Sequence, residues 1–399
     1  MKGIWLRLRD EFWAIPLLCA LLALALGIVL GGIDRSLDTS RELPLFFGGG
    51  PEGARALLTA VITAMISFTG LVFSITIVVL QLTSSQFSPR VIRTFLRDRF
   101  IQLALGVFVA TFVYGMVVLR SVHGTAGHQP EVPQLAITVA FMFVLASVVV
   151  FLFYIHHIAQ SIRAATIITR IGDDTRELLE QRHPADADPA GALSRPAGTG
   201  HEVASVSLGV VCEVDDAVLR RLAEQHGCVV CVIPAMGAFV PAGAPLVRVF
   251  GDDPPRDGDL RSAVTLGDER SLDQDVGFGL RQLVDIAERA LSPGINDPST
   301  AVQVVDQLHD ILRRLCTRPI VPRQHRADDG ALAVDVPQPA FADYLDLAVD
   351  EIAHWGSDSD RVMRRLETML EDLRSAARSE HRPVLMGKLQ AIHRAGDER

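Results

Sequence analysis

Hydrophobic positions gather into four long runs within the first 160 residues, and beyond them the pattern changes character. The runs cover residues 12–33, 56–82, 100–119 and 135–155, each close to the roughly 20 apolar residues that a helix needs to cross a bilayer. Only the second run is striped. Thr63, Gly70, Ile77 and Ser84 recur every seven residues, and Ser67, Ser74, Gln81 and Ser88 form a second row beside them. The two rows lie about 40° apart, since each helical residue advances about 100°. Met65, Val72 and Val79, with Phe68, Ile75 and Leu82, take the other side. A helix in hydrocarbon gains nothing by showing hydroxyls and amides to lipid, so the stripe calls for packed protein or water as its neighbour.

After the fourth run the apolar residues Ile158, Ile162, Ala165, Ile168 and Ile171 continue on one helical side with no breaker. This predicts a helical stalk over 159–182, followed by a linker rich in Ala, Pro, Gly and Asp over 183–200. Short β-like runs at 203–211, 229–233 and 238–249, with one helix at 215–226, predict a small β-rich module over 201–270. The segment Gly237-Ala-Phe-Val-Pro-Ala-Gly243 resembles the turns of biotinyl-type barrels, but the lysine that would carry such a cofactor is missing. Residues 271–399 read as helical. A hairpin of helices at 276–290 and 298–316 comes first, then a Pro- and charge-rich linker at 317–338, then helices near 340–355, 358–379 and 383–395. The fold class expected is an α-helical integral membrane protein, with four transmembrane helices in 1–158 and a mixed α+β cytoplasmic region.

Charge sharpens this division. Residues 1–158 carry 11 basic and 8 acidic side chains, while residues 159–399 carry 27 and 39, giving the −9 of the whole chain. Mean hydropathy is +0.28, between the values of soluble and wholly membrane-embedded proteins. Arg90, Arg93, Arg97 and Arg99 sit between the second and third runs against one acid, Asp98. The positive-inside rule then places the N-terminus, the 83–99 loop and everything after 155 in the cytoplasm of a bacterial inner membrane. An acidic cytoplasmic region argues against nucleic acid as a partner.

Candidate chemistry is sparse. Cys228 and Cys231 have metal or redox spacing but no second pair, and they fall in a β-like run. His156-His157 ends the fourth span and could sense pH. Gly277-Phe-Gly279 lacks the rest of a nucleotide fingerprint. No catalytic residues, metal ligands or cofactor are expected, and an enzyme is not. Arg90, Arg93 and Arg97 share one side of a short amphipathic segment, either a membrane-surface anchor or a basic collar at a pore mouth. In the 276–300 hairpin, Arg281, Asp285 and Arg289 fall at four-residue steps, with Asn296 and Asp297 at the next helix start. They form either an ion-pair ladder with a capped turn or a site for an anionic ligand or another subunit.

Several strings carry a resemblance. Ser67-Phe-Thr-Gly-Leu-Val-Phe-Ser-Ile-Thr76, Gln81-Leu-Thr-Ser-Ser-Gln-Phe-Ser-Pro-Arg90, Asp275-Val-Gly-Phe-Gly-Leu-Arg281 and Arg289-Ala-Leu-Ser-Pro-Gly-Ile-Asn-Asp-Pro298 are similar to blocks of a widespread family of bacterial predicted membrane proteins. That family is known as a domain of unknown function. The resemblance spans nearly the whole chain and implies an integral inner-membrane protein, without bringing an activity. The residues themselves favour a homo-oligomeric channel for small ions in the lipid bilayer. Its pore would be lined by Thr63, Ser67, Gly70, Ser74, Gln81, Ser84 and Ser88. The competing expectation is a non-conducting scaffold or sensor, with Thr63-xxx-Ser67 and Gly70-xxx-Ser74 as a packing seam and the cytoplasmic region binding a partner.

Overall fold

A computed structural model of the chain describes residues 13–36, 50–86, 98–122, 132–161, 163–185, 193–327 and 330–397. The chain divides into two compact units, residues 1–163 and 164–399.

The first unit holds α1 (Ala14–Ser36), α2 (Pro51–Gln86), α3 (Arg99–Ser121) and α4 (Gln134–Ser161). All four are long and apolar enough to cross a membrane. α3 is the central helix: 61% of its apolar window is buried, against 17–22% in the others. Its glycines explain how it sits so deep. A Cβ on Gly106 would come within 2.8 Å of Cys19 Sγ of α1, and one on Gly115 within 3.1 Å of Ile62 of α2. Gly27 of α1 lies equally close to Val117. Small residues let backbones approach where lipid offers no hydrophobic drive toward association.

Polar groups inside this bundle find partners. Thr76 Oγ1 and Tyr154 OH are 2.6 Å apart, and Thr111 Oγ1 and Ser147 Oγ 2.9 Å apart. The Tyr114 hydroxyl donates to the Ala136 carbonyl at 2.9 Å. Asp34 caps α4 by accepting from the amides of Leu135 and Ala136. Asp98 caps α3 through the Phe100 amide and lies 2.9 Å from His157 Nε2. Arg99 is therefore the first residue of α3.

The second unit begins with α5 (Ala164–Arg182). The helix expected to run unbroken from the fourth span through the stalk is two helices, and α5 is no free stalk. Ile167, Ile168, Ile171, Leu178 and Leu179 are buried, and α5 packs on α8 (Val276–Leu291) and α9 (Pro298–Cys316). Gly279 of α8 makes room for Thr175, where a Cβ would fall 2.1 Å from its hydroxyl. That contact accounts for Gly279 as packing.

The β-rich part alternates between two sheets. β1 (His201–Ala204), β3 (Val229–Val232), β5 (Pro245–Phe250), β7 (Arg323–Arg326) and β8 (Leu332–Val336) form one, in the order β1-β5-β3-β8-β7. β2 (Gly209–Val214), β4 (Phe239–Val240) and β6 (Val264–Gly267) form the other, in the order β4-β2-β6. The runs expected as single strands at 203–211 and 238–249 each split between the sheets. Val203, Val211, Val230, Val240, Val247, Val264 and Val334, from both sheets, share one core with Leu219 of α6 (Asp216–His226) and Leu260 of α7 (Asp257–Ser262). β8 is buried along its length and pairs in parallel with β3. The expected linker at 317–338 thus contains two strands, β7 and β8. Its polar and Pro-rich composition hid a strand that pairs with β7 beside it and with β3 far earlier in the chain. α10 (Phe341–Trp355), α11 (Asp360–Ala376) and α12 (Arg382–Asp397) complete the unit.

Candidate functional sites

α2 buries one side and exposes the other. Ala54, Leu58, Met65, Val72, Thr76 and Val79 face inward, against α3 and α4. Thr63, Ser67, Gly70, Ser74 and Gln81 are all exposed, as is Thr59 two turns before Ser67. A seam inside the subunit's own bundle is therefore excluded: the apolar Met65–Val72–Val79 row meets α3, so the stripe must look away. Ser67 satisfies its hydroxyl on the Thr63 carbonyl at 3.1 Å, and a Cβ on Gly70 would meet nothing within 4 Å. Ile77 is the one large apolar residue in the row, and Ile66, Leu71, Phe73 and Val78 flank it. Ser84 lies in the last turn of α2. Ser88, Arg90, Arg93 and Arg97 lie outside the described residues. The outward faces of α1 and α4 are unlike this one. They present Leu17, Leu18, Leu21, Leu22, Ile28 and Val29, and Phe141, Met142, Leu145, Val149, Leu152 and Phe153.

In the second unit the structure brings together part of the 281–297 set. Arg281 donates to three carboxylates: Asp285 at 2.7 Å, Glu288 at 3.1 Å and Glu351 of α10 at 2.5 Å. Its guanidinium is fully engaged by acids, as in an ion-pair cluster. Burial and the neighbouring Glu351 push the Glu288 carboxyl up to about 7, against the pull of Arg281. The Glu351 carboxyl is held below its ordinary value by Arg281. Arg289 is exposed and stands apart from this cluster. Asp297 caps α9, accepting from the amides of Ser299 and Thr300 and from the Thr300 hydroxyl at 2.6 Å. The Thr300 bond holds its carboxyl below the ordinary range. Asn296 precedes it with φ 48°, a left-handed turn that asparagine tolerates, and its side chain is exposed. Neither Asn296 nor Arg289 joins Arg281.

A cavity of about 210 Å³ opens where α5 ends, between the sheets and α8 and α10. Its walls come from segments that the sequence assigns to stalk, linkers and helix starts. His183 is buried at 2% exposure, with Gln338 Nε2 3.0 Å from its ring and the Tyr344 hydroxyl at 3.3 Å. Burial, followed by Arg318 and Arg182, lowers its pKa to about 4. Across the cavity Asp216 Oδ2 accepts from Arg323 at 2.9 Å and lies 3.0 Å from His325 Nε2. Burial alone would raise that carboxyl, but His325 and Arg323 hold it below its ordinary value. Asp216 Oδ1 is buried with no hydrogen-bond partner. The available clue was Arg323-Gln-His325, where alternation puts two basic groups on one face of a strand.

Cys228 and Cys231 are buried, and burial pushes both thiols above their ordinary value.

Comparison with known proteins agrees with the membrane-capable bundle. The chain is 34% identical over 381 residues to the uncharacterized protein Rv1290c of Mycobacterium tuberculosis, covering 92% of this chain and 73% of that protein. It is equally similar, with the same coverage, to the uncharacterized protein Mb1321c of Mycobacterium bovis. No solved structure matches. Residues 9–372 match the family described as predicted membrane protein (DUF2254), so four apolar helices and nearly all of the second unit fall within one family pattern, and the chain belongs to that family.

Proposed function

We propose that this protein is a homo-oligomeric pore of a bacterial inner membrane, with the outward face of α2 turned toward an axis shared between copies. The observation that carries this reading is the exposure of Thr63, Ser67, Gly70, Ser74 and Gln81 on a bundle whose other outward faces are large and apolar. In hydrocarbon, exposed hydroxyls and amides carry a cost that water or another copy removes. Repetition of one such face around an axis makes a wet path from a single helix per subunit. The excess of arginine between α2 and α3 supports an inward-facing 83–99 loop with the second unit in the cytoplasm. Arg90, Arg93 and Arg97 at that mouth would give a weak preference for anions.

A second reading is favoured by the open space at Gly70: copies meet closely along the Gly70-xxx-Ser74 row, and the assembly is a dry scaffold. Planar bilayers containing the purified protein separate the two. A pore gives unitary currents, and Ser74→Leu and Gln81→Leu each lower conductance by at least several-fold. Electrical silence of the unaltered protein under voltage, tension and pH change would overturn conduction and leave the scaffold.

A further inference from the structure

The cavity at the end of α5 has an unusual electrostatic inventory. Arg182 lies half-buried in its wall. Among the described residues no carboxylate comes within ion-pair distance of its guanidinium. Most other charged groups are already engaged, although Asp216 Oδ1 lacks a hydrogen-bond partner and the Asp216 charge also acts on Arg182. Arg323 is bound to Asp216 and to Gln274. Asp275 takes two bonds from Arg270, at 3.0 and 2.7 Å, and caps α8 through the Phe278 amide. One arginine is therefore left without a direct ion pair, facing the cavity. A desolvated, unpaired guanidinium is costly to keep, and five donors in a planar fork match an oxyanion. The Tyr344 hydroxyl and Gln338 amide line the same space and can supply neutral hydrogen bonds. At about 210 Å³ the cavity is smaller than the roughly 300–1,000 Å³ of sites for drug-sized ligands.

We infer that this cavity is a binding site for a small oxyanion, a phosphate- or carboxylate-bearing molecule of few atoms, with Arg182 as its principal anchor. The site is independent of conduction: it stands or falls whether or not α2 lines a pore. Three groups of different origin converge on it. Arg182 comes from the C-terminal turn of α5, Gln338 from the segment after β8, and Tyr344 from the first turn of α10. An occupant would tie these elements together, so binding should stabilise the unit by linkage.

The test uses the full-length protein in detergent, titrated with inorganic phosphate or with acetate against chloride at constant ionic strength, and reads the thermal midpoint and heat of binding. The expected result is saturable stabilisation by at least one of the two, the better one identifying the ligand class. Arg182→Gln should weaken binding about tenfold or more. Arg220→Gln, which removes the same charge from the exposed face of α6 where Arg220 pairs with Glu224, should leave it unchanged. Should Arg182→Gln fail to fold, Arg182→Lys decides, because it keeps the charge and loses the fork; weakening of about threefold or more is expected. Absence of saturable binding of either anion, or equal binding by the Arg182 and Arg220 variants, overturns the assignment.

Discussion

The outward faces of α1 and α2 belong to the same bundle, and their chemistry differs. α1 shows leucine, isoleucine and valine; α2 shows a row of threonine, serine, glycine and glutamine flanked by Ile66, Leu71, Phe73 and Val78. Both helices turn an apolar side to α3, so inward packing cannot account for the difference. What differs is the neighbour each face expects beyond the subunit. Polar groups inside the bundle are no less instructive: Thr76, Tyr154, Thr111 and Ser147 all bond to one another or to backbone. A chain that pairs its internal hydroxyls so fully, yet leaves a row of them on the surface of one helix, marks that row for a partner or for water.

The sharpest way to break the comparison is cross-linking in native membranes. Ser67→Cys should form a covalent dimer with itself under mild oxidation, at a yield several times that of the unaltered protein with its five native cysteines, whereas Leu21→Cys on α1 should add nothing. Equal yields from both positions would mean that α2 has no privileged contact between copies.

Acid makes a second contrast, since neither face contains an acid or base between residues 14 and 33 or between 56 and 81. The second unit, by contrast, carries a buried histidine whose protonation should cost stability on acidification. His183 has its folded pKa lowered from 6.5 to about 4 by burial and by Arg318 and Arg182, with Tyr344 and Gln338 also facing it. The neutral ring is the form the fold prefers. Its contribution is complete above pH 6.5 and is lost as pH falls toward 4, amounting to about 3 kcal/mol. Unfolding of the second unit followed across that window should show the loss, and His183→Gln should flatten it. A slope unchanged in the variant would assign the acid sensitivity elsewhere.

The smallest effect concerns the inward side of α2. Tyr154→Phe removes one partner of the Thr76 hydroxyl and should lower bundle stability by about 0.5–2 kcal/mol, with conductance unaltered. A change in current as large as that of Ser74→Leu would show that inward and outward faces are not separable.

Much of this architecture was legible in the residues. Length and hydropathy marked the four apolar helices, and the seven-residue recurrence from Thr63 to Gln81 separated a polar from an apolar side of α2. The cap Asp297 was readable because a helix start depends on residues within one turn. The β-runs at 203–249 were visible as runs, but their division between two sheets was not. The cavity was missed because Arg182 read as the end of a stalk, and His183, Arg323 and His325 as linker. Those groups acquire meaning only from partners far along the chain: Arg323 meets Asp216, 107 residues away, and Gln338 meets His183, 155 residues away.

What the chain determines alone is local and periodic: which segments can live in hydrocarbon, and which side of each helix is polar. Tertiary structure decided the rest. α3, made narrow by Gly106 and Gly115, became the centre against which α2 had to bury Met65, Val72 and Val79, and this alone turned the hydroxyl row outward. In the second unit, α5 joined α8 and α9 because its isoleucines had a core to enter. Periodicity specifies that a face exists, but the direction of that face is set by whichever neighbour removes the larger apolar area from its surroundings.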